Sequence, residues 1–132
     1  MSFEYKPDFE TVLRRFEAWW ACEVADRPLV SITLPKPPSE RMPEPTRHHA
    51  TLRDRWMDTE FVVEAALAQM HNLLFLGEAL PVFWPNLGPD VFASFYGCPL
   101  EFGENTSWSH PILQDWSEET LAKLRLDRNS PY

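Results

Sequence analysis

The residues able to do chemistry fall in two stretches. In "FWPNLGPD", Trp84 closes an apolar run and Asn86 stands two positions later, ahead of Gly88. A strand handing over to a loop here would set Asn86 where α/β folds place ligand contacts, its amide meeting a ligand oxygen or amide. Asn-Leu-Gly-Pro is equally good turn chemistry, so a tight corner is the other reading. Trp84, at the mouth of that strand, would offer a flat apolar wall. In "TRHHATLRDRWMD", His48 and His49 follow a proline-rich stretch. Adjacent imidazoles do not share a helix face and have no cysteine or carboxylate at ligand spacing beside them. They point away from a metal and toward structural hydrogen bonds, or toward a polar gate at His49. Arg47, Arg53 and Arg55 suit a carboxylate at a pocket mouth, or simply a helix surface. Asp90 reads as the N-cap of a short helix. The candidate ligand-binding residues are therefore Asn86, Trp84 and His49, with no catalytic residue and no metal ligand assigned.

These residues need elements to position them. Phe9, Val12, Leu13, Phe16 and Trp20 recur at helical spacing behind Asp8, predicting an N-capped helix with one apolar face. "DRPLVSITL" then changes to β-forming residues, so a short, mostly buried strand is expected over 29–34. Five prolines in "PKPPSERMPEP" forbid helix or central strand and make residues 35–46 an extended, mobile loop. "TRHHATLRDRWMDTEFVVEAALAQMHNLLFLG" reads as mostly helical, with Asp58 as an internal N-cap and Gly77 as its stop. "EALPVFW" follows as a second strand over 79–84. Beyond it come a short helix ended by Gly97, the extended pieces "CPLEFG" and "TSWSHPI", and a last helix capped by Ser117.

Composition bounds the function. The 132 residues suffice for one domain, 1–132, and its 44% hydrophobic content is that of a globular chain. A net charge of −8 without any basic stripe excludes nucleic acid and anionic membrane as expected partners. No apolar run approaches a membrane span and the N-terminus has no signal pattern, so a cytoplasmic location is expected. Cys22 and Cys98 lie far apart and read as buried free thiols.

No nucleotide-binding, hydrolase or zinc-protease motif occurs. Yet "RRFEAWWACEVADRPLVSI", "HHATLRDRWMD", "GEALPVFWPNLGPDVFASFYGCPLEFGENTSW" and "DWSEETLAKLRLDRNSPY" together resemble the N-terminal part of bacterial proteins in the uroporphyrinogen decarboxylase superfamily. That resemblance implies an α/β fold, the N-terminal portion of a (β/α)8 barrel, with the strands at 29–34 and 79–84 as its first two. It puts Asn86 near the place of the aspartate with which the decarboxylase engages its tetrapyrrole. The proline-rich loop takes the place of the decarboxylase's arginine-rich motif. A methyltransferase-type or uncharacterised decarboxylase-like member is thus implied rather than the decarboxylase itself. The complete family enzymes use zinc or a corrinoid, with the zinc ligands in a C-terminal half. A barrel needs about 250 residues, so the barrel is not closed in this chain and activity from the chain alone is not expected. An open sheet edge implies self-association or a companion chain completing the barrel. The alternative is a non-catalytic binding or assembly module that oligomerises through that edge. A small-molecule ligand is expected in the first case.

Overall fold

The computed structural model describes residues 3–132, a mixed α/β chain of small antiparallel sheets and five α-helices among the described residues. It divides into two compact units. One holds the residues up to Thr46 with Glu60–Phe83; the other holds Arg47–Thr59 with Trp84–Tyr132.

In the first unit, helix α1 (Phe9–Trp20) forms where the spacing predicts. Asp8 occupies its N-cap, but its side chain makes no cap bond and instead faces the Lys6 ammonium at 3.1 Å. Val12 is fully buried, whereas Leu13 and Trp20 on the expected apolar face are exposed. Strand β1 (Ser31–Pro35) pairs antiparallel with β2 (Leu73–Gly77), with Thr33 opposite Phe75. Helix α2 (Leu52–Met57) belongs to the second unit, and helix α3 (Thr59–His71) leads into β2.

These elements correct several expectations. "NLLFLG" is strand rather than the end of a helix, because Leu-Leu-Phe-Leu finds a ladder partner in β1 and tertiary pairing overrides a weak helical preference. Residues 79–84 form no strand, since the chain has already used its β-forming run and Pro81 and Pro85 remove backbone donors from this segment and its end. β1 is not buried: all five of its residues are exposed. Gly77 ends a strand rather than a helix, with φ at 59°, and a side chain there would collide with the Val30 carbonyl. Of the proline-rich loop, Pro38–Glu40 forms one 3-10 turn, and Asn72 fixes Met42 by two hydrogen bonds of 2.8 and 3.0 Å. These bonds anchor the loop at Met42.

The first unit is held by two buried charges. Glu78, 3% exposed, accepts from Arg27 at 2.7 and 2.8 Å, from Arg15 at 3.0 Å and from the Val30 amide at 2.7 Å. Burial alone pushes the Glu78 carboxyl up, but the bonds from Arg27, Val30 and Arg15 win and lower it from the usual 4.5 to about 2. Arg15 also grips Asp26 at 2.7 and 2.8 Å, and that bond leads the causes that lower the Asp26 carboxyl. Lys6, 1% exposed, spends its ammonium on Asp8 and on the carbonyls of Phe75 and Gly77, at 3.0 and 2.6 Å.

In the second unit, helix α4 (Val91–Ser94) begins after Asp90, as expected, although Asp90 makes no side-chain cap bond. Strands β3 (Leu100–Phe102) and β4 (Ser107–Ser109) pair antiparallel, and α5 (Glu118–Leu121) is capped by the Ser117 hydroxyl. Leu100, Phe102 and Ser107 are buried, and Trp56 reaches this centre by donating Nε1–H to the Gly103 carbonyl at 2.8 Å. The cysteines are free, but Cys22 is exposed at the end of α1 with φ at 59° and Cys98 is half-buried, which corrects the buried-thiol expectation. No helix among the described residues is long and apolar enough to cross a membrane.

Candidate functional site

The three candidate residues, Asn86, Trp84 and His49, all lie in the second unit. Asn86 builds a corner. Its Oδ1 accepts the Gly88 amide at 2.9 Å and its Nδ2 donates to the Trp84 carbonyl at 3.1 Å, an Asx-type turn. Gly88 sits at φ 108°, and a side chain there would run into Ser107, so only glycine fits. Ser107, 1% exposed, anchors the corner from the other side by donating its hydroxyl to the Leu87 carbonyl. The corner reading of Asn86 holds: its side chain forms the turn, and the amide retains a second N–H and a second lone pair.

The same corner governs Trp84. Its carbonyl is fixed by Asn86 while its indole is 76% exposed. An indole held at the backbone and wet on its surface is what a flat apolar ligand would stack on.

His49 belongs to a second cluster. Its Nε2 lies 3.0 Å from Asp58 Oδ2, and Arg47 donates to both oxygens of that carboxylate at 3.0 and 2.8 Å. The His49 and Asp58 side chains are largely covered, with exposures of 10% and 21%. Asp58 stands directly before α3, where the sequence puts an N-cap, and its carboxylate also orients one imidazole and one guanidinium. The local fold explains how: a capping box joins Thr51 and Asp54, so α2 starts at Leu52 and is followed at once by Asp58, which brings that carboxylate back toward residues 47–49.

The other two arginines are spent inside the unit. Arg55 donates to the Glu104 carbonyl, and the Arg53 guanidinium stacks over the Tyr132 ring at 5.6 Å. Neither points to a carboxylate ligand. His110, which no motif singles out, pairs with Glu101 across β3 and β4 at 2.7 Å on an exposed surface. Among the described residues no group of three His, Cys, Asp or Glu side chains could hold a metal ion.

The partners of these groups are hidden from sequence reasoning. Asp58 next to His49, and Glu78 between two arginines, are contacts across 9 and 51 positions, and no local spacing announces them. The one legible signal of these partners is charge at the strand ends, Asp26 and Arg27 ahead of β1 and Glu78 directly after β2, where neutral turn residues are usual.

Comparison of the chain with protein-family models, with curated proteins and with solved structures finds no match.

Proposed function

We propose that the chain is the N-terminal part of an enzyme of the uroporphyrinogen decarboxylase-like superfamily, methyltransferase-type or decarboxylase-like. In its complete form this enzyme would be a (β/α)8 barrel, with the antiparallel β1–β2 ribbon outside its ring of parallel strands. In this reading the chain supplies an aromatic wall and a rigid corner to a small-molecule site, and the reacting groups come from the rest of the enzyme. The observation that supports it is Trp84: a large indole, 76% exposed, on a turn whose backbone is fixed by Asn86, Gly88 and Ser107. Exposing an indole forgoes its burial energy, and a turn held on both sides fixes the backbone from which it extends.

A corrinoid, the cofactor implied by the resemblance, has the flat face such a wall suits. Zinc finds no three-ligand cluster among the described residues, so no zinc chemistry is assigned to them. His49, held by Asp58, is the polar gate of this reading, and Asn86 meets a ligand oxygen or amide with what the corner leaves over.

Calorimetric titration of the purified chain with methylcobalamin tests the proposal. Saturable binding, weakened about tenfold in Trp84→Ala by loss of stacking worth roughly 1.4 kcal/mol, supports it. No heat at millimolar ligand, or equal binding by Trp84→Ala, overturns it.

A second reading, an assembly module that joins chains through a sheet edge, is favoured by one further observation. The two edges of the β1–β2 ribbon are treated differently: among the described residues only the β2 edge carries a charged side chain on its carbonyls.

A further inference from the structure

We infer that two copies of this chain join by antiparallel pairing of β1 with β1 across a two-fold axis at Thr33. This rests on the assembly reading and names its surface. Two hydrogen bonds fix the direction of the backbone groups. The Glu78 amide donates to the Val30 carbonyl at 2.8 Å and the Lys36 amide to the Asn72 carbonyl at 2.9 Å. Even-numbered residues of β1 therefore face β2, and Ser31, Thr33 and Pro35 turn their backbone groups outward. On β2 the outward residues are Leu73, Phe75 and Gly77, and the buried Lys6 ammonium takes the carbonyls of the last two. A lysine laid on a strand edge is a known way to stop pairing.

The β1 edge has no such stop. Among the described residues β1 pairs with β2 alone, and no hydrogen bond reaches the outward groups of Ser31 or Thr33. "SITLP" carries no charge in a chain of net charge −8, so two copies can meet there without like charges facing each other.

The strand is also self-complementary. Centred on Thr33, the two Thr33 residues exchange N–H and C=O, and each Ser31 N–H reaches the carbonyl of Pro35 in the second copy. Proline cannot donate but accepts, so its position opposite Ser31 loses little. Ile32 then stands opposite Leu34 of the second copy, in the closely spaced kind of pair where side chains meet. Both are exposed in the single chain, at 44% and 45%. They share a face with Val30, Leu74 and Leu76, exposed at 46, 38 and 43%, so the join covers the centre of an apolar surface. An unrelated peptide would have to supply this pattern; a second copy has it by symmetry.

The test uses the full chain with Cys22→Ser and Cys98→Ser, adding Thr33→Cys or, as control, Ile32→Cys. Light scattering over a concentration series should show a dimer. Mild oxidation should cross-link Thr33→Cys, whose Cα atoms would stand about 5.5 Å apart, and leave Ile32→Cys largely uncrosslinked. In the cysteine-containing chain, Thr33→Lys should weaken dimerisation at least tenfold while circular dichroism stays unchanged. A dimer that ignores Thr33→Lys and gives no Thr33 cross-link overturns the β1 edge but leaves self-association standing. A monomer at every concentration overturns both. The methylcobalamin titration is read separately, so failure of the enzyme proposal does not decide this one.

Discussion

Glu78 and Asp58 are both carboxylates gripped by arginine, one in each unit, and they differ in depth. Glu78 is closed off, with a side chain 1% exposed and donors from two arginines and one backbone amide. Asp58, with its side chain 21% exposed, shares its oxygens between Arg47 and His49. The difference sets a buried fastening apart from the shallower cluster proposed as part of a site. A buried carboxylate with every lone pair used fastens its surroundings, because any other arrangement leaves a charge out of water without a partner. A shallower one that holds a histidine keeps that imidazole oriented while solvent, or a ligand, can still reach the cluster.

Removing the deep carboxylate should therefore have the largest effect. Glu78→Ala leaves Arg15 and Arg27 without their shared acceptor and the Val30 amide unpaired, and should cost about 3 kcal/mol in urea unfolding. That figure sits at the low end of such losses because both guanidiniums reach solvent, at 18 and 35% exposure. The same group sets the acid limb. Its carboxyl is lowered from 4.5 to about 2 in the folded chain, so its contribution is complete above pH 4.5 and drains away as pH falls toward 2. Glu78→Gln should flatten that part of the stability profile. An unchanged acid limb in Glu78→Gln would mean the stabilising charge lies elsewhere.

Next comes the other buried charge of the first unit. Lys6→Met keeps the apolar stem but drops the bonds to Phe75 and Gly77, leaving two strand-edge carbonyls to find water. A loss of about 2 kcal/mol is expected. Opening the β2 edge should also raise the tendency to form species larger than a dimer, measured by light scattering. If Lys6→Met is neutral in stability and in mass, the ammonium is a passive occupant of that edge, and the contrast between the two edges loses its force.

How much of this was legible in the sequence depends on distance along the chain. α1, the short helix after Asp90 and the Ser117-capped helix follow from local spacing and caps, and all three stand close to where spacing puts them. The strand at 29–34 is displaced by one or two residues. The second strand fails for a physical reason: "LLFLG" and "EALPVFW" are both apolar runs after a helix, and only the pairing with β1 chooses between them. Among site residues, the Asn86 corner was readable from Asn-Leu-Gly-Pro because an Asx turn is local chemistry. Asp58 as the partner of His49 was not, since the two stand nine positions apart with α2 between them and no local spacing pairs them. The exposure of β1 was also hidden, because a β-branched run looks the same whether it faces a core or a second copy.

The smallest effect belongs to Asp58→Asn. The amide keeps the shape and one acceptor oxygen, so Arg47 loses charge attraction on a surface where such pairs are worth little, and about 1 kcal/mol or less should be lost. What should change is His49. With the carboxylate gone, its Nε2 no longer meets an anion, and the imidazole 15N shifts recorded at one fixed pH should move relative to the wild type. A small stability loss with a clear change at His49 places this cluster with the working groups of the second unit. A loss as large as that of Glu78→Ala, with His49 unmoved, would make Asp58 a fastening like Glu78 and erase the difference in depth on which the site assignment depends.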